Sequence, residues 1–146
     1  MEITKMIPGY YCDVYELWLS CKGMGLNNLD DSEQGINAFL KRNPDTCFVA
    51  CEDDKVVGVI LAGSDGRRGY IYHTAVDPQY RKRGIATALV DAAMDAMKNI
   101  GINKVALVVF EHNEDGNKFW EKLGFIKRND LVYRNKAINE MIRNDT

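Results

Sequence analysis

Apolar residues recur along the chain at helical or strand-like spacing, and the changes between the two divide it into elements. Glu2–Ile7 predicts a short first strand. From Tyr10 to about Lys22, Val14, Leu17, Trp18 and Cys21 fall at helical intervals. A turn-rich stretch, Gly23–Asp31, leads into a second helix capped near Ser32, with Ile36, Phe39 and Leu40 facing inward. Strands follow at Thr46–Cys51 and Lys55–Ala62, joined by the acidic turn Glu52-Asp53-Asp54. After the turn Asp65–Gly69, Tyr70–Val76 is a further strand rich in β-forming residues.

The clearest helix is Arg83–Ile100. Ile85, Leu89, Ala92, Ala93, Ala96 and Ile100 share one face, while Thr87, Asp91, Asp95 and Lys98 share another. Gly101 is its expected stop. Val105–Phe110 reads as a buried strand, and a short helix runs from about Asp115 to Leu123. Phe125–Arg128 and Leu131–Arg134 are expected to pair as a last hairpin. The order β-α-α-β-β-β-α-β-α-β-β is mixed α/β, with antiparallel hairpins ahead of the long helix.

At 146 residues and 46% hydrophobic, the chain suits one domain over 1–146 whose folding buries ~68–70% of its unfolded surface. Its 19 basic and 21 acidic residues leave a net charge of −2, which argues against wholesale binding of nucleic acid or of a membrane surface. No apolar run approaches the ~18 residues of a membrane span. Glu2 and Lys5 with no apolar stretch behind them do not make a signal peptide. A soluble cytoplasmic protein is expected. Cys12, Cys21, Cys47 and Cys51 match neither zinc pairs nor a redox pair, so they are read as reduced small hydrophobes and no metal is expected.

The near-neutral total conceals a local excess. From Arg67 to Arg83 five basic residues stand against Asp77 alone, a segment of net +4. Within it, a strand ends at Pro78, the loop Arg81-Lys82-Arg83 follows, and a helix begins around Gly84. Unpaired N–H groups and the helix dipole favour an anion there, and Gly84 and Ala86 leave the backbone open to it. A solvated basic turn is the plainer alternative. Neither a Walker A loop nor the G-x-G-x-x-G fingerprint is present, so a Rossmann nucleotide site is disfavoured.

Arg81-x-x-Gly84-x-Ala86, set between Ala75-Val76-Asp77-Pro78 and a long helix, resembles the acyl-CoA-binding motif of the GNAT N-acetyltransferases. Asn113 followed by Phe119-Trp120-Glu121-Lys122-Leu123-Gly124-Phe125 is similar to a second family segment, N-x-x-A-x-x-x-Y-E-K-x-G-F. The pattern looks most like bacterial single-domain members of the YpeA type and, more loosely, the RimI type. This resemblance implies a mixed, mostly antiparallel central sheet with flanking helices, and splayed strands at Tyr70–Val76 and Val105–Phe110 that admit acetyl-CoA. The backbone of Thr74, Ala75 and Val76 would pair with the pantetheine arm, and the amides of Arg81, Lys82, Arg83, Gly84, Ile85, Ala86 and Thr87 would cradle the diphosphate. Asn113 would bond the pantetheine or diphosphate region, and Trp120 would pack on the CoA arm. The amine would enter from the side formed by the first two helices and the last hairpin.

Direct transfer needs a neutral amine and a stabilised oxyanion, which backbone donors can supply without a nucleophilic residue. Trp120 stands where the family often has an acidic Tyr, and indole cannot donate a proton as an acid. A CoA thiol near pKa ~8.5 leaves without one; Tyr133 is a distant substitute. For the base, some members place Glu or His where Tyr70 and Tyr72 stand, and RimI-like enzymes use Glu at the position of Val108. Glu111 and Tyr72 are the candidate catalytic residues, whereas His73 has the opposite strand parity and is assigned to packing. Without a strong base, the site favours an amine of pKa ~7.7–8.0, such as a peptide N-terminus, over lysine near ~10.4. The competing readings are a non-catalytic acyl-CoA sensor and a nucleic-acid-binding domain. Asp30, Asp31 and Glu33 could draw a cationic amine, and the terminal hairpin is a possible homodimer edge.

Overall fold

A computed structural model describes residues 1–145. Its centre is a five-stranded sheet in the order β1 (Glu2–Lys5), β2 (Phe48–Glu52), β3 (Lys55–Ser64), β4 (Gly69–Val76) and β5 (Val105–Ala106). The first three pairings are antiparallel and β4–β5 is parallel. The β2–β3 turn is tight because Asp53 and Asp54 take left-handed φ values of 51° and 63°. Four helices complete the architecture: α1 (Tyr11–Ser20), α2 (Glu33–Arg42), α3 (Ile85–Asn99) and α4 (Glu114–Lys122). Ser32 caps α2 as expected, its hydroxyl oxygen accepting the Gly35 N–H at 3.0 Å.

Two cores lie on the two faces of this sheet. Val14, Leu17 and Trp18 of α1 and Ile36 and Leu40 of α2 pack on Val59, Leu61 and Ala75. Ile85, Leu89, Val90, Ala93 and Met97 of α3 pack on Ile60, Ala62 and Ile71. β3 is therefore buried on both sides, which explains its unbroken apolar run. A Cβ on Gly58 would stand 2.9 Å from Leu89 Cδ1 and 3.0 Å from Ile85 Cγ2, so glycine lets the first turn of α3 seat directly on the sheet. On α3 itself, Val90 and Met97 face the core, while Ile100, past the last turn, is exposed.

The second half of the chain departs from the expected pattern. The strand expected over Val105–Phe110 stops after Ala106, and Val108 and Phe110 are exposed. The hairpin expected at Phe125–Arg128 and Leu131–Arg134 does not form, and Ile126, Leu131, Val132 and Tyr133 lie on the surface. With β5 only two residues long, the sheet offers these segments no edge on which to continue. Instead Arg128 grips Asp130 through two 2.8 Å hydrogen bonds at the tip. Further on, residues 142–145 return to the loop before α2. Asp145 accepts the N–H groups of Gly25 and Leu26, both at 3.0 Å, and the Asn28 N–H donates to the Ile142 carbonyl at 2.9 Å.

Candidate active site

One side of the candidate site is made of backbone. β4 ends at Val76, where the Asp77 N–H still bonds the Val57 carbonyl, and a single 3-10 turn at Pro78–Tyr80 redirects the chain. Asp77 caps that turn by accepting the Gln79 N–H; this bond, then Lys55 at 3.2 Å and Arg81, hold its carboxyl below the usual range. Lys82 (φ 62°) and Gly84 (φ 79°) both adopt the left-handed conformation on either side of Arg83. Such alternation curls successive N–H groups into an anion-binding concavity. None of the N–H groups from Arg81 to Thr87 donates to an acceptor among the described residues; Ala88 is the first of α3 to do so, to the Gly84 carbonyl at 3.0 Å. A Cβ on Gly84 would meet no other atom of the chain within 4 Å, so the backbone lies open there. These features fit the diphosphate of acetyl-CoA.

The flanking cations are partly committed. Arg83 lies 3.6 Å from Glu52 and packs over the Tyr80 ring at 4.9 Å, and the Arg81 guanidinium reaches Cys21 Sγ at 3.9 Å. Lys82 is exposed with no ion-pair partner among the described residues. Arg67 and Arg68 occupy the β3–β4 turn, at the far end of β4, roughly 23 Å away at ~3.3 Å per strand residue. The positive segment seen in the sequence thus divides, and only its second half stands at the cradle.

β4 joins β5 only at Gly69↔Val105 and Tyr70↔Ala106. Beyond that point the two segments part, and on the side away from β3 the Ile71–Val76 edge has no strand partner among the described residues. Thr74, Ala75 and Val76 lie on this open edge, and the buried Thr74 Oγ1 has no hydrogen-bond partner among the described residues. That orphaned hydroxyl fits a polar arm laid along the strand. Asn113 takes a different position: it caps α4, its side-chain oxygen accepting the Gly116 N–H at 2.9 Å. Trp120 is half-buried, packed edge-on against Phe119 and Phe125 at 5.0 and 5.1 Å.

The other side is made of side chains. Leu61 pairs with Tyr72 and Val59 with Ala75, so His73 and Thr74 together stand opposite Ile60 in a β-bulge. The bulge breaks the period of two. Tyr72 packs on Phe39 of α2, and the His73 ring meets Trp18 of α1 at 5.3 Å, on the same face of the sheet. The strand-parity assignment of His73 to the opposite side is therefore overturned. Its Nε2 lies 2.8 Å from Oδ1 of Asp31, a carboxylate the sequence offered only as a diffuse attraction for amines. Nothing local in the sequence signals this pair, because the bulge and the loop meet only in the folded chain.

The rings of Tyr70 and Tyr72 pack tilted against each other, 4.6 Å apart. Burial, then the nearby Tyr133 and Tyr72, push the Tyr70 phenol up to about 12. Burial, then Tyr133 and Asp30, raise that of Tyr72. Both stay protonated at neutral pH, so Tyr72 can donate a hydrogen bond but cannot act as a phenolate base there. Glu111 stands exposed in the turn before α4, with no hydrogen-bond or ion-pair partner among the described residues.

Comparison with known proteins shows the family and the fold. The model of the acetyltransferase (GNAT) family matches residues 11–125. An acetyltransferase of Sodalis glossinidius is 33% identical over 140 residues, covering 96% of this chain and 97% of its own length. N-alpha-acetyltransferase 30 of Schizosaccharomyces pombe is 36% identical over 94 residues, 61% of this chain and 63% of that one. In fold, the chain is similar to the PaiA N-acetyltransferase of Thermoplasma acidophilum, solved in complex with coenzyme A. The TM-score is 0.74 at 18% identity, over 84% of this chain and 87% of that one.

Proposed function

This chain belongs to the GNAT acetyltransferase family, and on that premise we propose that it acetylates a primary amine of low basicity, a peptide N-terminus or a small molecule. It is an acetyl-CoA-dependent acetyltransferase; the acceptor and the residue roles are the proposal. The observation that carries it is the run of uncommitted N–H groups from Arg81 to Thr87 beside an open β4 edge. In this reading the amides of residues 81–87 hold the diphosphate, with Lys82 adding charge. The backbone of Thr74, Ala75 and Val76 aligns the pantetheine arm, and the Thr74 hydroxyl gains a partner there. Asn113 and Trp120 close the outer side of the arm. Bound acetyl-CoA supplies the activated acetyl group.

Tyr72, kept protonated by its surroundings, is placed as a hydrogen-bond donor at the reacting end, and Glu111 as a carboxylate at the mouth. Asp30 beside Tyr72 supports attraction of a cationic amine. The preference for low basicity follows from ionisation: at pH 7 an α-amine of pKa ~7.7–8.0 is partly neutral, whereas lysine near ~10.4 is almost wholly charged. The chain is read as a single cytoplasmic domain, supported by one sheet shared between both cores and by four free thiols suited to a reducing compartment. No helix among the described residues is long and apolar enough to cross a membrane. A homodimer would cover the exposed Ile126, Leu131 and Val132.

The test is CoA release at pH 7 from acetyl-CoA with two peptide sets, one with a free N-terminus and no lysine, the other N-terminally blocked with one lysine. The first set should turn over at least tenfold faster in kcat/KM. Equal rates on both sets would defeat the acceptor assignment.

A further inference from the structure

We propose, resting on the acetyltransferase reading above, that His73 accepts the proton of the incoming amine and that Asp31 is the residue that positions it. The bulge in β4 turns His73 onto the face where Tyr72 and Trp18 lie, one residue before the Thr74–Val76 edge that would hold the donor. His73 adopts φ 41°, a left-handed conformation rare for a residue with a Cβ inside a strand. Such strain persists only where the surroundings over-determine the conformation.

Those surroundings are specific. The Trp18 indole N–H donates to the His73 carbonyl at 3.0 Å, fixing the backbone of the bulge. Asp31, only 3% exposed, has both carboxylate oxygens engaged: Oδ1 with His73 Nε2 at 2.8 Å and Oδ2 with the Asn27 N–H at 2.9 Å. Its carbonyl accepts the Tyr11 hydroxyl at 2.7 Å. A carboxylate facing Nε2 selects the tautomer that carries its proton there, which leaves the lone pair on Nδ1. Nδ1 has no hydrogen-bond partner among the described residues, and the side chain keeps 18% of its surface exposed. The ring is thus oriented, polarised from behind and open at its basic nitrogen.

The groups around it do not compete for this role. α1 contributes Trp18 and, through Asp31, Tyr11; the loop before α2 contributes Asp31 and Asp30. β4 contributes Tyr70 and Tyr72, and the C-terminal segment contributes Tyr133. Tyr11, Tyr70 and Tyr72 are all shifted upward and remain neutral at pH 7, so none is a base there. In the step itself, an N–H proton of the amine passes to Nδ1 while the nitrogen electron pair forms the C–N bond to the thioester carbon. The C–S bond breaks, its electron pair leaves on sulfur as the CoA thiolate, and the thiolate and His73 re-equilibrate their protons with solvent.

The experiment measures kcat, KM and acetyl-CoA affinity for wild type, H73Q, D31N and E111Q with a peptide bearing a free N-terminus. H73Q should lose about 10²–10⁴-fold in kcat, the usual contribution of a positioned base, with acetyl-CoA affinity within about twofold of wild type. D31N should lose less, in kcat rather than KM, and E111Q, at the mouth of the site, should lose far less than H73Q. An H73Q enzyme within about threefold of wild-type kcat, or the large loss appearing in E111Q instead, would overturn the assignment. Where H73Q fails to fold, a chain with His73 intact still answers. The sequence has two histidines, so in H112Q the carbethoxy-histidine absorbance formed by diethylpyrocarbonate, and its reversal by hydroxylamine, report His73 alone. Modification should abolish turnover while acetyl-CoA still binds; full turnover with His73 modified would refute the proposal. Wild type that binds acetyl-CoA and acetylates no amine would defeat the underlying reading first, before any variant is compared.

Discussion

At residues 81–87 the protein offers its backbone; at Asp31, Tyr72 and His73 it offers side chains. The first region is held by contacts within a few residues along the chain, with two left-handed residues aiming a row of uncommitted amides. The second joins a bulged strand to a loop 42 residues earlier, and its carboxylate is fully engaged. One region waits for a partner to complete a row of backbone hydrogen bonds, and the other is already tied together at Asp31, leaving only His73 Nδ1 and the Tyr72 hydroxyl without a partner among the described residues. In the proposed reading, recognition of the donor is spread over many equivalent groups, whereas handling of the acceptor rests on a few.

This contrast can be broken or sharpened experimentally. The largest effect is expected at Trp18, which is fully buried and also fixes the bulge. Trp18→Ala should cost about 3–5 kcal/mol in urea unfolding. In whatever fraction stays folded, acetyl-CoA affinity should survive better than turnover; loss of both in step would mean that the two regions are not separable. Next comes Gly84→Val, where φ 79° is strained for any residue with a Cβ. Acetyl-CoA binding by calorimetry should weaken roughly 100-fold, about 2.7 kcal/mol, while the acceptor-side fold holds. Unchanged affinity would remove the cradle from the donor site. The smallest effect is expected for Lys82→Gly, which relieves a left-handed lysine and deletes its charge. If backbone amides dominate, affinity should stay within about threefold at physiological salt; a far larger loss would transfer the role to the side chain.

The same contrast explains which parts were legible in the sequence. The open turn of residues 81–87 was readable because Arg81, Gly84 and Ala86 are neighbours in sequence, between a strand end and a helix start. The strands and α1–α3 were readable from apolar spacing, since that spacing reports which face is buried. The side of the sheet taken by His73 was not legible because strand parity holds only while the register is regular, and the bulge opposite Ile60 inserts one extra residue. Asp31 could not be paired with it for a different reason: α1 joins loop and strand, Tyr11 holding the Asp31 carbonyl and Trp18 that of His73, which no local pattern encodes. The expected last hairpin had the right alternation but lacked a neighbour, because β5 ends after two residues. A strand pattern is a request for an edge, and only the assembled sheet can grant it.

The bonds from Asp145 to Gly25 and Leu26 span 120 and 119 residues of chain. Closing so long a loop carries a greater entropic cost than any contact inside the cradle, and contacts of that separation form late. The loop tied down in this way leads directly into Asp31. The turn after β4 is closed by contacts of short separation, whereas the loop before Asp31 is closed only when residues 142–145 return to it. The two regions therefore differ in the length of chain that must be ordered to build them.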